Sequence, residues 1–213
     1  EDDQTLRAIR ALAKKQQIWV ILGSIAVKTS DPDGRFANRQ FVINPAGDIA
    51  ARYDKMHMFD VSLSETESYR ESAGYRPGKD AVVASIAGVK VGLSICYDLR
   101  FPYLYRDLAQ SGAKVLIVPS AFSVPTGAAH WEVLLRARAI ETGCFVLAPA
   151  QTGDHKGRRT YGHSLAVDPW GTVFLDAGTE TGVHVIDLDL SAVDNVRGKI
   201  PSLEGDKAYT LQS

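Results

Sequence analysis

Cys96 is the residue best placed for covalent chemistry. It closes the apolar, β-rich run Val89 to Ile95 and opens a polar Tyr-Asp-Leu-Arg, just before Phe101 to Ser111, where apolar residues take up helical spacing. A thiol at the end of such a strand has its backbone fixed by a sheet, while its sulfur faces the connecting loops where a substrate arrives. A cysteine in an apolar run is more often an inert small hydrophobe, and the polar residues after Cys96 argue against that reading here. A thiol nucleophile needs a base to form thiolate, a cation to steady negative charge and donors for an oxyanion. Lys55, in Tyr-Asp-Lys-Met-His-Met-Phe-Asp, and Glu71, in Tyr-Arg-Glu-Ser, are charges of the right kind. Taken singly, each reads as an ordinary solvated side chain.

Other chemistries lack their signatures. There is no Gly-x-Gly-x-x-Gly, no Gly-Lys-Ser/Thr phosphate loop, no Gly-x-Ser-x-Gly and no His-Glu-x-x-His. The five histidines do not cluster with the cysteines at zinc spacing, so no cofactor and no metal are expected. With 24 basic and 25 acidic residues the net charge is -1, and no basic stripe points to nucleic acid or an anionic membrane. Small-molecule chemistry is the remaining class. Two cysteines are too few for a disulfide scaffold, which implies reduced thiols and a cytoplasmic protein. No apolar run approaches the roughly 20 residues needed to span a bilayer, and the start is acidic and helical instead of signal-like. The sequence begins without Met.

The elements that must position these groups read as one α/β domain with a mixed sheet and covering helices. Glu1 to Lys15 is an amphipathic helix, with Lys14 and Lys15 at its C-terminal end. Gln17 to Val27 is a strand, Asp31 to Arg35 a loop, and Gln40 to Ile43 with Ile49 to Tyr53 a hairpin about Asn44-Pro45-Ala46-Gly47. Lys55 to Gly78 carries little periodicity, and an irregular segment of that length is commonly functional. Strands Ala81 to Ile86 and Val89 to Ile95 precede helix Phe101 to Ser111, strand Lys114 to Pro119, a loop ending at His130, helix Trp131 to Thr142 and strand Cys144 to Ala150. Thr152 to Tyr161 reads as a polar loop. Strands Gly162 to Val167 and Thr172 to Asp176 flank the turn Asp168 to Gly171, Val183 to Leu190 reads as the last strand, and the tail from Arg197 is weakly patterned. Glu132, Arg136, Arg138 and Glu141 suit ion pairs along their helix.

Four ordered motifs, around Lys55, around Cys96 (Gly-Leu-Ser-Ile-Cys-Tyr-Asp-Leu-Arg-Phe-Pro), from His130 to Glu141 and from Tyr161 to Gly171, resemble the nitrilase superfamily of carbon-nitrogen hydrolases. The wording is most similar to its Nit branch, which contains deaminated glutathione amidase and omega-amidase. The resemblance implies an αββα sandwich, Cys96 as nucleophile, Lys55 and the Tyr97 N-H as oxyanion donors, and Glu71 as a second glutamate that helps place Lys55 and substrate. Phe122, Thr126 and His130 are the candidate substrate-binding residues; Phe122 and Thr126 belong to the loop expected to open at the same sheet edge as Cys96.

The implied activity is hydrolysis of a small carboxamide, such as an alpha-keto acid amide, to carboxylate and ammonia through a thioester. A homodimer is implied by the family. Carbamoylase and aliphatic amidase activities are the alternatives within the superfamily. The family's general-base Glu follows a Pro on a strand ahead of the first helix, and neither Glu1 nor Glu67 fits that setting. The sequence is therefore expected to lack an N-terminal strand-helix-strand unit. The competing reading is a short, non-catalytic binding subunit.

Overall fold

A computed structural model describes residues 3–30, 32–65, 67–155 and 157–212. Helix α1 (Gln4–Gln16) opens on Asp3, whose carboxylate accepts the Leu6 N-H at 3.0 Å, and ends where Gln17 turns left-handed. Glu1 and Asp2 lie outside the described residues. The α1 residues Leu6 and Ala13 are fully buried against Val27, Phe41 and Ile43. These belong to a sheet of β1 (Val20–Lys28), β2 (Phe36–Ile43) and β3 (Ile49–Asp54), antiparallel in that order. The β2–β3 turn forms as its sequence predicts: the Asn44 side-chain oxygen accepts the N-H groups of Ala46 and Asp48, each at 2.9 Å.

The segment after β3 is more regular than its sequence suggests. It holds the short pair β4 (Asp60–Ser62) and β5 (Ser68–Arg70), a 3-10 turn at Glu71–Ala73, and β6 (Tyr75–Arg76), which pairs in parallel with β2. Strands this short carry no readable period.

The second sheet is built from β7 (Val82–Ile86), β8 (Val89–Leu93), β9 (Val115–Ile117), β10 (Phe145–Ala148), β13 (Leu165–Val167) and β14 (Val173–Asp176), in the spatial order β14-β13-β10-β9-β8-β7. Its centre, β8-β9-β10, is parallel and both edges are antiparallel. Helices α2 (Pro102–Gln110) and α3 (Val124–Thr142) are the crossovers, and their residues Leu104, Leu108, Trp131, Leu135 and Ala139 form one core with this sheet. The other face meets the first sheet through Val42, Tyr53, Val91, Leu93 and Ile117. The layers are thus α, β, β, α, as the sequence implied.

Four sequence expectations are corrected. Helix α3 starts at Val124 instead of Trp131, because Thr126-Gly-Ala-Ala are small residues without an apolar stripe; Thr126 and His130 are therefore helical. Gly127 is required there, since a Cβ would meet Tyr161 Cγ at 2.3 Å. The expected polar loop at 152–161 is a hairpin of β11 (Thr152–His155) and β12 (Arg158–Tyr161). Val183 to Leu190 is no strand: it pairs with no other described strand, and Val183 and Val185 are 92% and 91% exposed. Finally, α4 (Ser191–Lys199) was missed. It buries Val193 and is fastened by Arg197, which donates to the carbonyls of Thr142 and Ala113 at 3.0 and 2.8 Å.

Candidate active site

Cys96 sits three residues beyond the end of β8, at the first position of a 3-10 turn, Cys96–Arg100, with φ of 50°. That left-handed backbone is strained for a residue with a Cβ, and strain of this kind persists only where the surroundings enforce it. Here the Cys96 N-H donates to the Pro119 carbonyl at 3.0 Å, bolting the turn to the end of β9. Asp98 enforces the rest. Its carboxylate is fully buried and accepts four hydrogen bonds: Ile95 N-H at 2.8 Å, Tyr53 O-H at 2.6 Å, His57 N-H at 3.1 Å and His57 Nδ1 at 2.6 Å. The His57 ring in turn stacks on Phe101, with centroids 3.6 Å apart, and its Nε2 meets the Tyr103 hydroxyl. One buried charge therefore ties the Cys96 turn to residues on either side of Lys55.

Lys55 is 3% exposed. Its N-H donates to the Asn38 carbonyl at 2.9 Å and its carbonyl accepts the Gly78 N-H at 2.8 Å, so the backbone is held from both sides. Gly78 has to be glycine, because a Cβ would lie 2.2 Å from the Asp54 carbonyl oxygen. The Lys55 ammonium pairs with Glu71 Oε2, which also accepts the Phe59 N-H at 2.7 Å, while Oε1 accepts Asn38 Nδ2 at 3.0 Å. Both Glu71 oxygens are thus engaged. Burial of Lys55 is tolerated because its charge is paired.

Cys96, Lys55, Glu71, Tyr97, Phe122 and Thr126 all border one cleft of ≈1050 Å³. Among the described residues, Glu71 is the only carboxylate lining it. His130 is the exception among the predicted site residues. It lies on an exposed part of α3, where Nδ1 meets Arg100 Nη2 at 3.2 Å, and it does not line the cleft. Placing α3 earlier in the chain carried it away. The Arg100 guanidinium stands 5.9 Å from the Tyr97 ring centre and 5.8 Å from that of Phe122, bracing both. Thr126 exchanges a 2.7 Å hydrogen bond with the Ser123 hydroxyl at the start of α3.

Enclosure pushes the Cys96 thiol above the ordinary thiol range, while the Lys55 cation, the Ala121 N-H and the Ser120 hydroxyl pull it back. The second thiol, Cys144, is fully buried and raised by burial, with Arg197 Nη2 at 3.0 Å from its sulfur. It is a core residue. Asp98, Tyr53, His57 and Asn38 were not singled out from the sequence. The one local signal for Asp98 was its place three residues past an apolar run, beside the core residue Leu99.

No group of three or more His, Cys, Asp or Glu among the described residues could hold a metal, and no described helix is long and apolar enough to cross a membrane. A model of the carbon-nitrogen hydrolase family matches residues 1–198. A deaminated glutathione amidase of Synechocystis sp. is 42% identical over 203 residues, covering 94% of this chain and 75% of that protein. The crystal structure of the C. elegans NitFhit protein matches with a TM-score of 0.87 at 38% identity, over 97% of this chain and 50% of that one. A mutant amidase from Nesterenkonia sp. AN1, carrying the acetamide moiety of fluoroacetamide covalently on its active-site cysteine, matches with a TM-score of 0.75 at 25% identity, over 92% and 71% of the two chains. The fold, the arrangement around Cys96 and these relatives agree, and the chain belongs to the carbon-nitrogen hydrolase family, among the amidases of the nitrilase superfamily.

Proposed function

We propose that the protein hydrolyses an alpha-keto acid amide through a Cys96 thioester, with deaminated glutathione ahead of shorter omega-amides. The observation that carries this reading is a buried ammonium, Lys55, bordering the same cleft as a thiol on a strained turn. The Cys96 thiolate attacks the amide carbon; a C-S bond forms and the carbonyl electron pair moves to oxygen. Lys55 Nζ and the Tyr97 N-H hold that oxyanion. The C-N bond then breaks, and nitrogen takes a proton as it leaves. Water attacks the thioester, releasing carboxylate and restoring the thiol.

A primary carboxamide releases ammonia in this scheme. The amides of deaminated glutathione are N-substituted, so such a substrate releases an amine. Glu71 orients Lys55, since its oxygens are already engaged. The general base is the further glutamate implied by the family resemblance. Phe122 and Thr126 contact substrate from the cleft wall. The described residues act as one hydrolase domain. Two unbonded thiols support a cytoplasmic setting, and exposed Val133 and Ile140 on α3 support a homodimer through the helical layer.

The test is mass spectrometry of the full-length protein after iodoacetamide, with Cys96→Ala as control, followed by an amidase assay. Cys96 labels much faster than Cys144, and Cys96→Ala abolishes turnover of alpha-keto acid amides. Equal labelling of both thiols with no turnover would refute the reading.

A further inference from the structure

Gln40 is a polar residue that the steps above leave without a role. It lies on β2 and is fully buried, and neither its side-chain oxygen nor its nitrogen has a hydrogen-bond partner among the described residues. It is the one described residue whose whole side-chain polar group is buried in this way. An amide is costly to take out of water alone, and buried polar groups in folded proteins are almost always satisfied by protein or by ordered water.

The register places this amide beside the catalytic lysine. Alternation along β2 puts Gln40 on the same face as Asn38 and Val42, between the two sheets: Val42 belongs to the core they share, and Asn38 borders the cleft. Gln40 stands opposite Tyr53, and Asn38 is level with Lys55, whose N-H its carbonyl accepts. Lys55 is thus the diagonal neighbour of Gln40, at about 7–8 Å between backbones, a separation that two long side chains reduce to the width of one water. On the other side β1 bulges. Its pairing jumps from Leu22 with Phe41 to Ile25 with Arg39, so Gln40 has no paired residue across from it, and Gly23 in the bulge brings no side chain. Gly23 and Ser24 border the cleft, which gives water its way in. Lys55 supplies the remaining polar group. Its ammonium has three N-H donors; one goes to Glu71, its one hydrogen-bond partner among the described residues, and one to the oxyanion in the steps above. The third needs an acceptor, and its other polar neighbours on this face are committed, Asn38 to Glu71 and Tyr53 to Asp98.

We propose that Gln40 holds internal water that positions Lys55. One molecule accepts from Lys55 Nζ and donates to Gln40 Oε1; another accepts from Gln40 Nε2 in the space left by the bulge. Such a site is polar, has room and offers water several partners, as internal water requires. Gln40 is then a positioning residue. It touches neither substrate nor thiol, and through the bridging water it fixes the ammonium so that one proton stays aimed at the oxyanion. The inference rests on the Cys96 and Lys55 reading above.

The experiment uses the full-length protein, as parent and as Gln40→Met, which keeps the length of the side chain without its polar atoms. A crystal structure of the parent that shows ordered water should place a water within hydrogen-bond distance of both Gln40 and Lys55. A protein group in that place, or a carboxamide with no partner at all, overturns the site whatever the activity. In Gln40→Met the amide and its water leave together, so the melting temperature should stay close to that of the parent. On an amide of a 2-oxo acid, kcat should fall about tenfold, the effect of one hydrogen bond to a charged group. KM should stay within about twofold, because the lost contact serves the transition state and not the bound substrate. A sharply lower melting temperature with unchanged kcat would show a packing role, and a higher one with unchanged kcat a carboxamide that holds nothing; either overturns the inference while leaving the Cys96 chemistry intact. Absence of turnover of every amide by the parent, with Cys96 unlabelled by iodoacetamide, overturns the thioester reading and the positioning role with it, and the crystal structure then decides the water site by itself.

Discussion

Asp98 is the residue whose loss should separate positioning from chemistry most cleanly. In Asp98→Asn the side chain keeps its size, but only one of its two heteroatoms still accepts. Oδ1 now receives both His57 donors and Oδ2 receives the Ile95 N-H and the Tyr53 O-H. Whichever way the amide turns, an NH2 group faces one of these pairs. The Tyr53 hydroxyl can rotate to accept, but the backbone N-H of Ile95 or His57 cannot. At least one buried backbone donor is left unsatisfied, at about 1–3 kcal/mol, and the charge-assisted character of the other bonds is lost as well. The expected destabilisation is about 2–4 kcal/mol, measured by urea unfolding at unchanged m-value. The turn that holds Cys96 at positive φ loosens with it, so alkylation of Cys96 and amide turnover should change together. Tyr53→Phe removes only one donor and should be much milder. In a double-mutant cycle the two substitutions should couple by about 1 kcal/mol. Loss of less than about 0.5 kcal/mol, with Cys96 alkylation at the parental rate, would refute the assignment of Asp98 as the anchor of this turn.

The titration of Cys96 supplies a second prediction. Burial raises the thiol and Lys55 is the main influence lowering it, so Lys55→Met should move the alkylation profile to higher pH, because a cation that favours the thiolate is gone. Iodoacetamide labelling against pH, with Cys144 as internal reference, reads the shift; a profile moved to lower pH would show that Lys55 does not act on this thiol. A third concerns α3. Gly127→Ala improves helix propensity by up to about 1 kcal/mol, yet its Cβ would meet Tyr161 Cγ at 2.3 Å and Cβ at 2.4 Å. Displacing that ring should give a net loss of about 1–3 kcal/mol, read from urea unfolding. A stabilised variant would mean that α3 and β12 do not approach as described.

Part of this protein was legible along the chain. Where one element carries its own signal, local pattern suffices. The Asn44 to Gly47 turn, the buried strand leading to Cys96 and the helix through Trp131 to Thr142 are set by residues a few positions apart, and each formed as read. The motifs around Lys55 and Cys96 placed both at the cleft, although neither charge would have stood out singly.

Other features depended on partners far away in sequence. Small residues hid the first turns of α3, whose start is set by packing on Tyr161, and His130 left the cleft as a result. Val183 to Leu190 has the composition of a strand but no described neighbour to pair with, and backbone pairing rather than propensity makes a strand. Asp98 looks like any surface acid until Tyr53 and His57, more than forty residues earlier, arrive to bury and satisfy it. The sequence by itself determined which residues could do chemistry. The tertiary structure decided their states, because burial and the charges or donors brought alongside turn Lys55 into a held ammonium, Cys96 into a strained thiol and Asp98 into their common anchor.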